Sequence, residues 1–570
     1  MAPMRLRLRR PPDAAAAADP SPWPPGWRRP RWTGRGTTIG TLDGGARALV
    51  DPAGLVSPVG TSWSLDWWVG AEDRWHLPSE EVAVRQRLLS SAPVVETRLR
   101  VPSGDAVHRA YAARTRSGAD VLVVEVENAS KVPFALALAV RPAVADGVGS
   151  IRRLALDGGT LLVDGEPGVT LPRAPGRAAL ARGQDGDVAG PVLAGDAGEV
   201  RSLQPVACED GLATGALLFP LAHTATLRVV LPLGAGIVTP SEVPAATDVA
   251  SGWSRQAGTG ARLELPDRRL RDAVAASARH LLLAEPQPAV AEGLDLLGHH
   301  VAAASALHQL LALASPDPAA IEVVRAAPGQ ALAALGRHWD LTRDEDLAVE
   351  ATLPIAAAVA VLGGTSDPEE LRSAQAALPA VVRLLRAVGE ERAAADVEAL
   401  AGTLEPPSAP SPSLGDLLRD ATGTWTWAGP TGAHDPSRNA ALVRLVRDLL
   451  VADGDDPSAP HQHLDLSPSV PEAWLGQGWE VHDLPTRHGL LSYAVRWHGA
   501  RPALLWQLDP VDGAAVVVRA PGLDPTWHSA SPVGEALLAP MQVAEQPPRR
   551  GLTLPVAIEP LHRRPAPEGP

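Results

Sequence analysis

The strongest constraint on this chain is a change of hydrophobic period near residue 262. From Thr37 to Pro240 the sequence runs in short β-branched segments broken by turns. "DVLVVEVENAS" (120–130), "PFALALAVRP" (133–142) and "TATLRVVLPLG" (224–234) read as strands, and "LDGGTLLVDGEPG" (156–168) has the strand–turn–strand punctuation of a hairpin. Many closely spaced strands without helix-length periodicity predict a large antiparallel β-sandwich. After Pro266 the apolar residues recur every three or four positions, and one layer type cannot serve both patterns.

The helical stretch opens with "PDRRLRDAVAASARHLLLAEP" (266–286), where Leu270, Val274, Ala278 and Leu281/Leu282 share a face and Asp267 stands at the start. "LDLLGHHVAAASALHQLLALAS" (294–315), an interrupted helix reaching Trp339, "RDEDLAVEATLPIAAAVAVLGG" (343–364), "DPEELRSAQAALPAVVRLLRAVG" (367–389) and a helix over 390–402 follow. "EPPSAPSPS" (405–413) is a spacer, one more helix runs from Asn439 to Val451, and strand patterns return from about Leu464. The expected division is a disordered basic tail over 1–36, a β-sandwich domain over 37–255, an α-helical hairpin domain over 262–455, a small C-terminal β domain over 461–542 and a proline-rich tail over 543–570. Paired helices joined by short turns make the middle part toroid-like.

Composition narrows the chemistry. Lys131 is the single lysine among 51 basic residues, so arginine carries nearly all positive charge and no G-x-x-x-x-G-K-[ST] phosphate loop exists. The 57 prolines and 52 glycines fit the codon bias of a GC-rich genome, so proline is read locally. One cysteine, Cys208, forms neither an intrachain disulfide nor a thiolate cage. A formal net charge of −14 argues against nucleic acid as a partner. No apolar run reaches the length of a membrane-spanning helix, and Ala14–Ala18 is too short for a signal-peptide core. The expectation is a cytoplasmic protein without an integral membrane segment; its oligomeric state is not legible.

Three stretches carry a family resemblance. "VEVENASKVPFALALAVRP" (124–142) looks like sandwich strands that precede a helical barrel, and "LGRHWDLTRDEDLAVEATLPIAAAVAVL" (335–362) looks like a barrel helix pair. The region 445–497, from "LVRDLLVADGDD" to "LLSYAVRW", looks like a last helix followed by a C-terminal sheet. In this order they resemble the six-hairpin glycosidases, a group that includes glucoamylase-like, amylo-1,6-glucosidase-like and rhamnosidase-like enzymes. The resemblance implies an α/α toroid and an α-glucan or related glycoside as substrate. It departs from the group in length: about 266–453 has room for seven or eight helices, against twelve in a complete six-hairpin barrel.

Glycoside hydrolysis requires two carboxyl groups across the scissile bond, one acid and one base or nucleophile. Loop-like carboxylates are Glu292 and Asp295 ("AEGLDLLG"), Asp344 to Asp346 and Asp435 ("GAHDPSRN"). Asp344 and Asp367 fit helix N-caps. Asp295 and Asp435 are the catalytic candidates, with N-capping the competing role for Asp435. Trp425, Trp427 and His434 beside Asp435, and Trp67 and Trp68 in "WSLDWWVGAEDRWH" (63–76), are the substrate-binding candidates, because indole faces stack on sugars. For the 63–76 cluster the competing role is packing between layers. "HQHLD" (461–465) has H-x-H-x-D spacing, but Leu466 follows where a metal-binding run of that type carries histidine, so no metal site is assigned. No cofactor is expected. Two functions follow: a glycoside hydrolase-like protein using two-carboxylate chemistry, or a catalytically inactive relative that binds carbohydrate or acts as a scaffold.

Overall fold

The computed structural model describes residues 23–31, 36–144, 147–234, 236–311, 322, 324–404, 413–421, 435–454, 462–511 and 515–541. They form a multidomain β plus α fold with antiparallel sheets first, helices in the middle and further sheets at the C-terminal end.

Two large sheets face each other in the N-terminal part. In the first, Ser64–Gly70 pairs with Phe134–Arg141, which pairs with Thr214–Leu221. In the second, Thr226–Leu231, Asp120–Asn128, Gly104–Arg114 and Val94–Val101 lie side by side. The strand and hairpin segments read from alternation fall on these elements, including the hairpin of Arg153–Asp157 with Thr160–Val163. Leu136, Leu138 and Val140 point into the shared core with Val95, Leu99 and Val124. The opposite face of the same strand carries Ala137 and Ala139, small enough to let helix α1 (Ala189–Ala194) sit on the sheet. Helix α2 (Ala246–Ala257) covers the outside of the second sheet over Val121, Val123 and Val230.

Of the segment expected to be a disordered tail, residues 23–31 pack on the sandwich. Trp27 is buried, the Arg28 amide donates to Asp187, and Arg141 lies over the Trp23 ring. Arg141 is itself fully buried, between the Asp66 and Asp187 carboxylates. The anchor is therefore a paired charge together with an indole, which a proline-rich composition conceals.

The helical part comprises α3 (Arg268–Leu283), α4 (Pro288–Leu296), α5 (His300–Leu311), α6 (Pro328–Thr342), α7 (Glu345–Leu362), α8 (Pro368–Ala387), α9 (Glu391–Ala401), α10 (Leu414–Asp420) and α11 (Pro436–Leu450). Asp267, Asp344 and Asp367 cap α3, α7 and α8 through their side chains, as their spacing predicts. The run 294–315 differs from expectation. Pro288 opens a separate helix at its first position, and Gly298 at φ +83° turns the chain between α4 and α5.

Helices α11, α4, α6 and α8 pack side by side in one row, and α3, α5, α7 and α9 pack behind them as their hairpin partners. The C-terminal strands close one end. Arg262–Glu264 supplies the edge strand of a sheet continued by Trp479–Thr486, Gly489–His498, Arg501–Pro510 and Val533–Leu537. Val451–Gly454 leads directly from α11 into a second sheet. These strands share one core with α3, α4 and α11, in which Leu281, Leu294 and Val446 meet Trp479, Val481 and Leu504. Among the described residues no helix is long and apolar enough to cross a membrane.

Candidate functional site

A cleft of about 420 Å3 lies between α8 and α11 with α4 and α6 as its floor. Helical spacing builds its walls. Arg372, Ala376, Ala380 and Arg383 recur on one face of α8, and Ala441, Arg444 and Asp448 on one face of α11. Alanine keeps the walls apart, and arginine and acid rim the space. In all, six arginines and five carboxylates line it, and the lining includes no tryptophan among the described residues.

Most of these charges are already paired. Arg444 grips Glu292 with two donors, Nε to Oε1 at 3.1 Å and Nη2 to Oε2. Arg383 holds Asp340 in the same forked way, at 3.1 and 2.6 Å. Such bidentate pairs fix both partners. Arg447 donates to Asp453 at 3.0 Å and to the Pro485 carbonyl at 3.0 Å, while the Arg487 amide donates to the other Asp453 oxygen at 3.2 Å. Burial works to raise the Asp453 pKa, yet Arg447 and Arg337 hold it below the usual carboxylate range. Asp448 behaves oppositely. It reaches solvent at the lip, but the walls strip enough hydration to raise its pKa against the pull of Arg447, Arg337 and Arg444. Arg337, halfway along α6, makes no hydrogen bond among the described residues and acts on Asp448 and Asp453 through its charge.

Each of the two carboxylates singled out in the sequence makes structural contacts of its own. Asp295 is not on a loop; it sits in α4 and is completely buried. Its Oδ1 faces His300 Nδ1 at 2.9 Å, and its Oδ2 faces His338 Nδ1 at 2.9 Å, so it ties α4 to α5 and α6. The neighbouring candidate, Glu292, is also helical and is held by Arg444. Asp435 is the N-cap of α11, its Oδ1 accepting from the Ser437 amide at 3.0 Å. Neither Asp295 nor Asp435 lines the cleft.

Trp67 and Trp68 are 1% and 0% exposed and present no face to a ligand. Their strand is covered on both sides: Trp67 stacks on His108 inside the sandwich, and Trp68 packs under α1. Trp425, Trp427 and His434 lie outside the described residues, as does His461. Asp465 is bound by Arg519 at 2.6 and 2.8 Å. Apart from Glu292, sequence reasoning missed the cleft residues, whose signal was arginine recurring at helical spacing on alanine-rich faces.

No family model matches the chain, and no curated protein matches it. Among solved structures the chain is similar to a bacterial glucoamylase complexed with acarbose, at 8% identity and a TM-score of 0.43, over 68% of this chain and 69% of that one. It is also similar to a putative kojibiose phosphorylase from human microbiome, at 7% identity and a TM-score of 0.41, over 88% and 95%.

Proposed function

We propose that the protein binds a carbohydrate in the cleft between α8 and α11 without hydrolysing it. The observation that carries this reading is the state of the cleft's carboxylates: Glu292, Asp340 and Asp453 are each held by an arginine. A glycosidase needs a free base or nucleophile opposite its acid, and Glu292 and Asp340, locked in guanidinium forks, and Asp453, held by Arg447, do not suit that part. Fixed carboxylate–guanidinium pairs do suit sugar hydroxyls, which donate to one and accept from the other. A cavity of this volume takes a small saccharide.

One observation favours a second reading, hydrolysis. Asp448 has the raised pKa expected of a general acid at the cleft lip. A glycan array and a reducing-sugar assay, run on the full chain beside Arg337→Ala and Asp448→Asn, separate the two. The binding reading expects glycan binding without sugar release, weakened about tenfold by Arg337→Ala, or roughly 1.4 kcal/mol. Sugar release that disappears in Asp448→Asn replaces it with hydrolysis, and absence of any glycan binding removes the carbohydrate reading.

A further inference from the structure

A second cavity, about 290 Å3, lies where the sandwich meets the helices. The turn Ser90–Pro93, α2, the strand Arg262–Glu264 and α3 wall it. Its lining combines apolar side chains, among them Trp253, Leu263, Val274, Ala278 and Leu282, with cationic ones. Three guanidiniums, Arg262, Arg271 and Arg279, face one carboxylate, Glu264, which lies 3.8 Å from Arg271. In a protein with a net charge of −14 this is a local reversal of sign.

Arg279 is the informative group. Its Nη1 donates to the Ser91 carbonyl at 3.2 Å, an oxygen presented by a turn in which both Ser90 and Ser91 have positive φ. Its Nε is sealed from water without an acceptor, and Nη2 has no hydrogen bond among the described residues. Burial alone acts on Arg279, with no carboxylate opposing it, and draws its pKa down to about 10. It is therefore charged at neutral pH. Among the described residues no carboxylate pairs with this partly buried cation, and with Nε enclosed and Nη1 engaged it is Nη2 that is left to donate to an oxyanion. The remaining titratable neighbour, His299, is held neutral by burial, with a pKa lowered to about 4, and its Nδ1 meets the Thr259 hydroxyl at 3.1 Å.

We propose that this cavity is a binding site for a small organic oxyanion, whose acidic head pairs with Arg279 and whose body lies on Trp253 and the apolar wall of α3. A carboxylate and a phosphate monoester share that chemistry, and the site is independent of the cleft between α8 and α11.

The test is calorimetric titration of the full chain with inorganic phosphate and, separately, with acetate, in a low-salt sulfonate buffer. Thermal melts are recorded alongside for the natural protein, Arg279→Gln and Arg279→Lys. Saturable binding of at least one anion is expected, weakened tenfold or more in Arg279→Gln, with a rise in melting temperature that the variant loses. Phosphate without acetate identifies a phosphate ester as the ligand class, and acetate without phosphate a carboxylate. Arg279→Lys is expected to keep phosphate better than acetate, since lysine offers a point charge instead of a fork. Without ligand, Arg279→Gln is expected to melt at or above the natural protein, because an unpaired cation has been removed. The proposal is overturned if neither anion binds saturably at about 10 mM, if Arg279→Gln binds as well as the natural protein, or if ligand-free Arg279→Gln melts well below it.

Discussion

Replacing Asp295 by alanine separates a structural clamp from a catalytic carboxylate. The side chain is fully buried and receives two histidines, His300 at 2.9 Å and His338 at 2.9 and 3.2 Å. His338 is itself 1% exposed, and its Nε2 has no hydrogen-bond partner among the described residues, only Asp344 at 3.7 Å, so Asp295 provides its main compensation. Burial pulls the His338 pKa down, but Asp295, and more weakly Asp344, carry it above 6.5 overall. Removing one partner of a buried pair costs about 3–5 kcal/mol, because the survivor stays buried and uncompensated. For a unit of this size each kcal/mol moves the melting temperature by about 2–4 °C, so Asp295→Ala is expected to lower the helical transition by roughly 6–20 °C.

The pH dependence gives a sharper check. His338's folded pKa lies above its unfolded value, so the clamp is at full strength below about 6.5 and weakens as pH rises through the folded pKa. The melting gap between the natural protein and Asp295→Ala is therefore expected to be largest in mild acid and to narrow above neutrality, as followed by far-ultraviolet circular dichroism. A variant that melts with the natural protein at pH 6, or a gap that widens with pH, refutes the clamp. Intact melting with sugar release abolished would return Asp295 to the catalytic role.

Two further outcomes follow from groups elsewhere in the fold. Burial raises Asp51 to about 6 even though it accepts amides from Leu55, Ala53 and Arg31. Its folded pKa exceeds the unfolded one, so it costs stability as pH climbs from about 4 to 6; Asp51→Asn is expected to flatten that slope in acid-to-neutral melts. A Cβ on Gly329 would meet the Glu370 carbonyl oxygen at 1.9 Å, where α6 starts against α8 and Glu370 accepts the Gly329 amide at 2.7 Å. Gly329→Ala is expected to lower the helical melt by more than a surface Gly→Ala change, and an unchanged melt would mean the α6–α8 crossing yields easily.

The strands and the capped helices were legible because their causes are local. Phe134–Arg141 alternates, and Asp267 and Asp367 stand one residue before helices whose amides they accept. Three other features depend on partners remote in sequence. Nothing near Asp295 signals that His338, 43 residues on, will hold it inside a helical layer. The pair "WW" at 67–68 looks like a ligand platform until both faces of its strand are covered, one by the second sheet and one by α1. The cleft draws on four helices, and its Glu292–Arg444 pair spans 152 residues. Local pattern reports which face of a helix is unusual; it does not report what the face meets.

The arginines of the cleft do two different jobs, and the difference determines which substitution is informative. Arg383 and Arg447 lie in or near the last turns of α8 and α11, where cations offset the helix dipole, and both are fastened to carboxylates. Arg343, just past the end of α6, donates to the Trp339 and Arg487 carbonyls, and Arg487 to the Gly454 carbonyl, so this end of the row is knitted together by guanidiniums. Loss of any of these disturbs the fold together with the cleft. Arg337 stands at mid-helix, where the dipole has no open end to neutralise, and makes no hydrogen bond among the described residues. Its charge acts on Asp448 and Asp453 across the cleft. A group held by field alone is free to exchange that field for a ligand's hydroxyls, so a variant at Arg337 reports on binding where variants at its neighbours report on stability.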